Sequence, residues 1–178
     1  MWDQIWLWAI LIGPWLTLFL MRGETIKRYV PVAVFTALIV TIIFEIAYVR
    51  RWWEMTERIV PWGTITNVSF VYGAFFVGTM WIFALAYRNL GLFLLTNLAI
   101  DAIQAFVLSP FLFEGRWYSL VNLNNIQVFA LMFGISIVIY MYQGWQERIF
   151  RRVEQEYTAS KAIAMEMKLP LTRRGRAR

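Results

Sequence analysis

The chain contains no cysteine and no histidine. That excludes disulfides, thiol catalysis, a histidine pH switch, and zinc or haem held by those ligands. Charge is also scarce: 16% of residues are Asp, Glu, Lys or Arg, against about 25% in an average soluble domain. No Gly-rich phosphate loop is present, and Ser69, Ser109, Ser119 and Ser136 stand without a base motif nearby. The expectation is a non-enzymatic protein without metal or cofactor. What fills the chain instead is apolar residue, 60% of the total, where about 45–50% is usual. The excess falls in blocks, which points to membrane spans rather than an oversized core.

Five blocks have 20–24 residues, enough to cross a bilayer with some tilt: Trp2–Met21, Val30–Val49, Thr64–Tyr87, Leu90–Phe113 and Val121–Tyr142. The start lacks a positive n-region, carries Asp3, and has no small-residue cleavage site, so the first block is expected as a retained span rather than a signal peptide. The fold expected is all-α: a polytopic five-transmembrane-helix bundle over residues 1–143 and a cytoplasmic amphipathic helix and basic tail over 144–178. Thirteen of the seventeen basic residues then share one side, with Arg50, Arg51, Arg58 and Arg116 on the other. The positive-inside rule puts the thirteen in the cytoplasm, so the N-terminus is expected outside the cell membrane and the C-terminus inside.

The joints give further expectations. Pro31 falls near the start of the second block, where a missing N–H is not needed; Pro14 and Pro110 are candidate kinks. Tyr87-Arg88-Asn89 predicts a tight hairpin between spans three and four. Ala74 and Gly78 form a small-xxx-small pair suited to a close helix contact. Trp2, Trp6, Trp8, Trp52, Trp53, Trp62, Trp117 and Tyr118 mark the outer interface, and Arg50–Val60 reads as a short helix lying in it.

Asp101 sits at the centre of the fourth block, about 18 Å from either end at 1.5 Å per residue. A carboxylate there costs roughly 2.5–3.5 kcal/mol or more, so the group is expected to be protonated or bonded to amides. Asn97, Asp101 and Gln104 follow steps of four and three and form one stripe. Glu45 lies toward the outer end of span two, within reach of Arg50 or Arg51, and Asn67 near the outer start of span three. Asn122, Asn124, Asn125 and Gln127 fall in the outer half of span five. The inner halves are nearly featureless. Polar side chains in lipid turn inward, so Glu45, Asn67, Asn97, Asp101, Gln104, Asn125 and Gln127 are expected to meet in an outward-facing polar cavity. Three roles stand open: interhelical hydrogen-bond glue in a structural or accessory protein, a site for a small molecule or cation, or proton carriage by Glu45 and Asp101.

The segment after span five continues as a helix. Ile149, Val153 and Tyr157 recur every four residues opposite Arg148, Arg151, Arg152 and Glu156. Ala162–Leu169 extends it to Pro170, and Thr172–Arg178 is a basic end. Its expected partners are anionic lipid, at about 1 kcal/mol per basic residue near the surface, or a cytoplasmic protein. Nucleic acid is not expected, since no groove-reading element accompanies the charge.

Several stretches carry a resemblance: Lys27-Arg28-Tyr29-Val30-Pro31-Val32, Pro61-Trp62-Gly63, Ile65-Thr66-Asn67, Phe70-Val71-Tyr72-Gly73, Gly78-Thr79-Met80-Trp81-Ile82-Phe83, Leu95-Thr96-Asn97-Leu98-Ala99-Ile100-Asp101 and Tyr142-Gln143-Gly144-Trp145-Gln146-Glu147. They cover most of residues 27–147. In them the chain resembles a group of small five-helix membrane proteins of spore-forming Gram-positive bacteria. The resemblance implies the topology and supplies no ligand or catalytic residue.

Overall fold

The computed structural model describes residues 2–60, 63 and 65–168, with the backbone alone at 150, 153–154, 162–164 and 166–168. Its helices are α1 (Trp2–Thr17), α2 (Gly23–Arg50), α3 (Phe76–Ala86), α4 (Leu90–Ile103) and α5 (Asn125–Lys168), and its only strands among the described residues are β1 (Trp53–Met55) and β2 (Tyr118–Leu120). A 3₁₀ turn, Leu18–Leu20, follows α1. Wider π-wound segments precede α3 (Phe70–Phe75) and continue α4 (Gln104–Phe113). Four helical stretches are long and apolar enough to cross a membrane: Trp2–Leu20, Gly23–Arg50, Leu90–Phe113 and Asn125–Ile149. The stretch between them, Phe70–Ala86, is shorter.

Local hydrogen bonds explain where the helices depart from the expected blocks. Asn67 bonds the N–H of Phe70 through Oδ1 at 3.2 Å, and its carbonyl takes the N–H of Val71 at 3.0 Å. That satisfies donors left orphaned at a helix start, so Ile65 and Thr66 stay outside the helix and the third block is shorter than Thr64–Tyr87. Thr64 itself, with Pro61 and Trp62, lies outside the described residues. The fifth helix begins at Asn125 rather than Val121. Asn124 and Gln127 form a reciprocal capping box there: each backbone N–H donates to the other's side-chain oxygen at 2.9 Å,. Asn89 caps α4 by accepting from Leu92 N–H at 3.1 Å. This fits the tight turn expected at Tyr87-Arg88-Asn89. α2 begins at Gly23, so Pro31 is interior and cannot donate back to the carbonyl of Lys27,.

Three parts of the chain converge at one end of the unit Met1–Tyr140. Gln4 Nε2 donates to Glu57 Oε2 at 3.1 Å and to the Arg58 carbonyl at 2.8 Å. Asp3 Oδ1 accepts from Arg116 Nη2 at 2.9 Å and from Trp117 Nε1 at 3.1 Å. β1 and β2 pair antiparallel, Trp53 opposite Leu120, Glu54 opposite Ser119 and Met55 opposite Tyr118. The expected interfacial helix at Arg50–Val60 is therefore replaced by a strand. α2 stops because Arg51 turns to φ 52°, and Trp52 N–H closes on the Ala47 carbonyl at 2.9 Å. The next residues find their partners in the loop that carries β2.

Packing follows a stripe on α2: Tyr29, Val32, Ala33, Thr36, Ala37, Val40, Phe44 and Ala47 are buried at helical spacing,. Val40 and Phe44 cluster with Val71 and, partly buried, Trp53 and Phe75. α1 packs on the first π-wound segment at Gly73, where an added Cβ would strike the Ile10 carbonyl and lie 2.8 Å from Leu11 Cα. Trp15 stacks on Phe76 at 5.2 Å and donates to the Tyr72 carbonyl at 2.8 Å. Of the expected pair Ala74 and Gly78, Gly78 makes no close contact, since a Cβ there meets nothing within 4 Å. The small residue that makes a close approach is Gly73, one position before Ala74.

The unit Met141–Arg178 is helical through Lys168. Gln143 donates to Glu147 at 3.2 Å, one turn on. Ile149 and Tyr157 are exposed; the Val153 side chain, Pro170 and the basic end 172–178 lie outside what is described.

Candidate functional site

A cavity of about 550 Å³ runs between α2, α3, α4 and α5 and ends beneath the β-ribbon. α4 supplies its polar stripe. Asn97, Asp101 and Gln104 all line it, as their spacing predicts. The wider winding after Ile103 lets steps of four and five carry Leu108 and Phe113 along the same face. Pro110 has no N–H to give the ladder, and the segment closes with Glu114 N–H on the Ser109 carbonyl five residues back, at 2.8 Å. π-wound turns are frequent at functional sites.

The remaining walls are mostly apolar. Val40 and Phe44 come from α2, Ile82 from α3, Met132, Ile135 and Ile139 from α5, and Trp53, Met55 and Tyr118 from the ribbon. Tyr140 on α5 lies 4.8 Å from Phe93 and 5.3 Å from Tyr87, and Phe129 lies 5.6 Å from Phe106. Large rings thus hold α5 as the far wall.

The polar cavity expected from the sequence is corrected in three ways. Glu45 is exposed and does not line it: it lies one residue past buried Phe44, about 100° round the helix. It forms no ion pair with Arg50 or Arg51 among the described residues. Gln127 is exposed, spent on the capping box, and Asn125 is half-buried away from the cavity. Asn67 does line it, but its oxygen caps the helix and its Nδ2 reaches Met55 Sδ at 4.0 Å. The site therefore holds one carboxyl, Asp101, in mostly apolar walls.

Four of the polar side chains that line the cavity with Asp101 bond their own helices. Asn97 donates to the Phe93 carbonyl at 2.8 Å, Thr36 to Val32 at 2.8 Å, Thr79 to Phe75 at 2.7 Å and Ser136 to Phe133 at 2.7 Å. These three hydroxyls were not expected in the cavity, and only their positions on the buried stripes could have marked them. Asp101 is 6% exposed, and its Oδ2 is buried without a hydrogen-bond partner. No Lys or Arg lines the cavity.

The chain matches no protein-family profile, curated protein or solved structure. The chemistry open to the site is thus what its residues offer. Among the described residues no three Asp or Glu side chains gather to hold a metal ion. Ser136, the serine on the cavity wall, gives its proton to a backbone carbonyl. One carboxyl and three amides, Asn67, Asn97 and Gln104, in a mostly apolar chamber can bind and orient a small molecule,.

The aromatic residues expected at the outer interface divide. Trp2, Trp6 and Trp8 are exposed, as anchors are. Trp117 is buried with Leu7, Phe70 and Phe113, and stacks on Phe113 at 4.8 Å. Trp53 packs edge-on to Phe44 at 5.3 Å. Tyr118 donates its hydroxyl to Ser109 Oγ at 2.6 Å. Burial, and less so the Glu114 carboxylate, raise the Tyr118 phenol above its usual value, while the Ser109 bond lowers it. A raised phenol keeps its proton in the folded chain after the unfolded chain has lost it, so stability falls as pH rises past about 10. Thermal melting of detergent-solubilised protein is expected to weaken over that range, and less so in Tyr118→Phe. An equal alkaline loss in the variant would remove Tyr118 as the cause.

Proposed function

We propose that the chain is a non-enzymatic, five-span membrane protein that binds a small apolar ligand inside its helix bundle through Asp101. One observation carries the binding role: a nine-tenths-buried carboxyl lines a roomy apolar cavity and has an unpartnered oxygen. Buried polar atoms are ordinarily hydrogen-bonded, and a chamber of this size with few convergent polar groups is the usual form of a ligand site. Interhelical glue is the weaker account. Among the described residues, the bonds of Asn97 stay within α4, and Asp101 makes none to another helix.

Membrane insertion is supported by what the outer faces expose. Val34, Leu38, Ile42 and Ile46 form an exposed apolar stripe on α2, opposite its buried one. A patch of that kind belongs against lipid rather than water. Five crossings are supported by the meeting of the α1 start with both longer loops at one end. The 17-residue stretch Phe70–Ala86 is at the lower limit of a span, and local thinning of the bilayer accommodates it. The N-terminus is outside and the tail cytoplasmic, with exposed Arg148, Arg151 and Arg152 beside anionic headgroups,.

The absence of cysteine makes the topology directly testable. In intact cells a membrane-impermeant maleimide is expected to label Glu54→Cys, and to label Arg88→Cys and Gln155→Cys only after permeabilisation. Labelling of Glu54→Cys and Arg88→Cys from the same side would end the five-span reading.

A further inference from the structure

Building on the binding role above, we infer that the ligand is a lipophilic amine, an apolar body with one protonated nitrogen, that enters sideways from the bilayer between α3 and α4. Two independent observations meet here. The first is charge. The cavity lining contains one acid and no base, and the acid's buried oxygen has no donor. A charged nitrogen is the group that makes the strongest hydrogen bond to such an oxygen, and in low dielectric that pairing gains most. An alcohol offers a weaker bond, and a carboxylate brings no cation to hold the acid ionised.

The second is the wall beside Asp101. Counted from the turn at Arg88-Asn89, the antiparallel helices place Ala74 opposite Gln104, Gly78 opposite Ile100 and Ile82 opposite Thr96. All six line the cavity. None is fully buried, and Ile100, next to Asp101, is 45% exposed. A Cβ on Gly78 would meet only open space. The seam is thus loose close to the depth of the carboxyl, about ten to twelve residues or roughly 15–18 Å from the turn. On the proposed topology that depth is mid-bilayer. A molecule dissolved in the hydrocarbon reaches Asp101 through this gap without crossing the ribbon cap. From Asp101 the lining runs on to Phe113, a further dozen residues of helix, which suits an elongated body.

The test uses the full chain in lipid nanodiscs, with radiolabelled dodecylamine and dodecanol as probes and protein-free nanodiscs as background. Saturable dodecylamine binding is expected, at least tenfold tighter than dodecanol. Asp101→Asn should bring the amine to the alcohol's level. Gly78→Leu, placed where the site has space, should weaken both at least tenfold while leaving helicity intact. If amine and alcohol bind equally, or Asp101→Asn leaves the amine unchanged, the amine assignment is wrong while the binding role stands. If neither probe binds saturably, the binding role itself fails. If Asp101→Asn does not fold, Gly78→Leu decides alone: unaltered amine binding overturns the lateral route.

Discussion

Gly73→Leu is expected to unseat α1 from the bundle and lower the melting temperature of the detergent-solubilised protein by roughly 5–10 °C or more. The obstacle is backbone, not a side chain that can swing away. A Cβ at position 73 strikes the Ile10 carbonyl and sits 2.8 Å from Leu11 Cα, so the first atom added already forces the helices apart. Overpacking of this kind costs about 1–3 kcal/mol, occasionally more, and for a chain of this length each kcal/mol moves the midpoint by about 2–4 °C. Separation also stretches the Trp15–Tyr72 hydrogen bond and the Trp15–Phe76 stack, so the tryptophan emission should shift with the melt. Gly73→Ala should show a smaller version of the same loss. Gly13→Ala and Gly78→Ala are the controls, because at both positions a Cβ meets nothing within 4 Å; in helices they should be neutral or slightly stabilising. If Gly73→Leu melts like these controls, α1 does not pack on this glycine.

That contrast shows where the sequence was readable. Periodicity placed Asn97, Asp101 and Gln104 on one face because polar residues are rare enough in α4 to mark it. It could not place Glu45. α2 is apolar on nearly every side, so a single acid among apolar neighbours has no phase until the buried partner is known. Ala74 and Gly78 drew attention as a spaced pair, yet Gly73 makes the contact. Adjacent small residues differ by about 100° of rotation, and sequence spacing does not choose between them. The strands β1 and β2 have three residues each, too short to show alternation, and they pair across more than sixty residues of chain. Gln127 is different. Asn124-x-x-Gln127 is a capping signature and was legible as one; counting it as an intramembrane polar residue misread a helix start as cavity.

The ribbon end should depend most on Trp117, and Trp117→Ala is expected to cost about 3–5 kcal/mol, the usual range for emptying a buried aromatic site. Its ring is 5% exposed, stacked on Phe113 and 6.0 Å from Phe70, with Leu7 in the same cluster. Its carbonyl takes the N–H groups of Thr56 and Glu57 at 3.0 and 3.3 Å, and its indole N–H reaches Asp3. One residue therefore joins the start of α1, the β1 loop and the end of the second π-wound segment. The neighbouring ion pair is the informative comparison. Arg116–Asp3 is shorter, at 2.9 Å, but its side chains are 52% and 32% exposed, and pairs so placed contribute about 0–1 kcal/mol. Arg116→Ala should consequently be mild, and more so at high salt. Trp117→Phe should fall between, keeping much of the stack and losing the bond to Asp3. Unfolding midpoints for the three variants check the order; equal losses in Trp117→Ala and Arg116→Ala would mean that charge, not ring burial, holds this end. Phe70 and Phe113 pack against Trp117 and also line the cavity. Emptying the Trp117 site should therefore loosen the ribbon end of the cavity and leave the Asp101 end, a dozen helical residues away, in place.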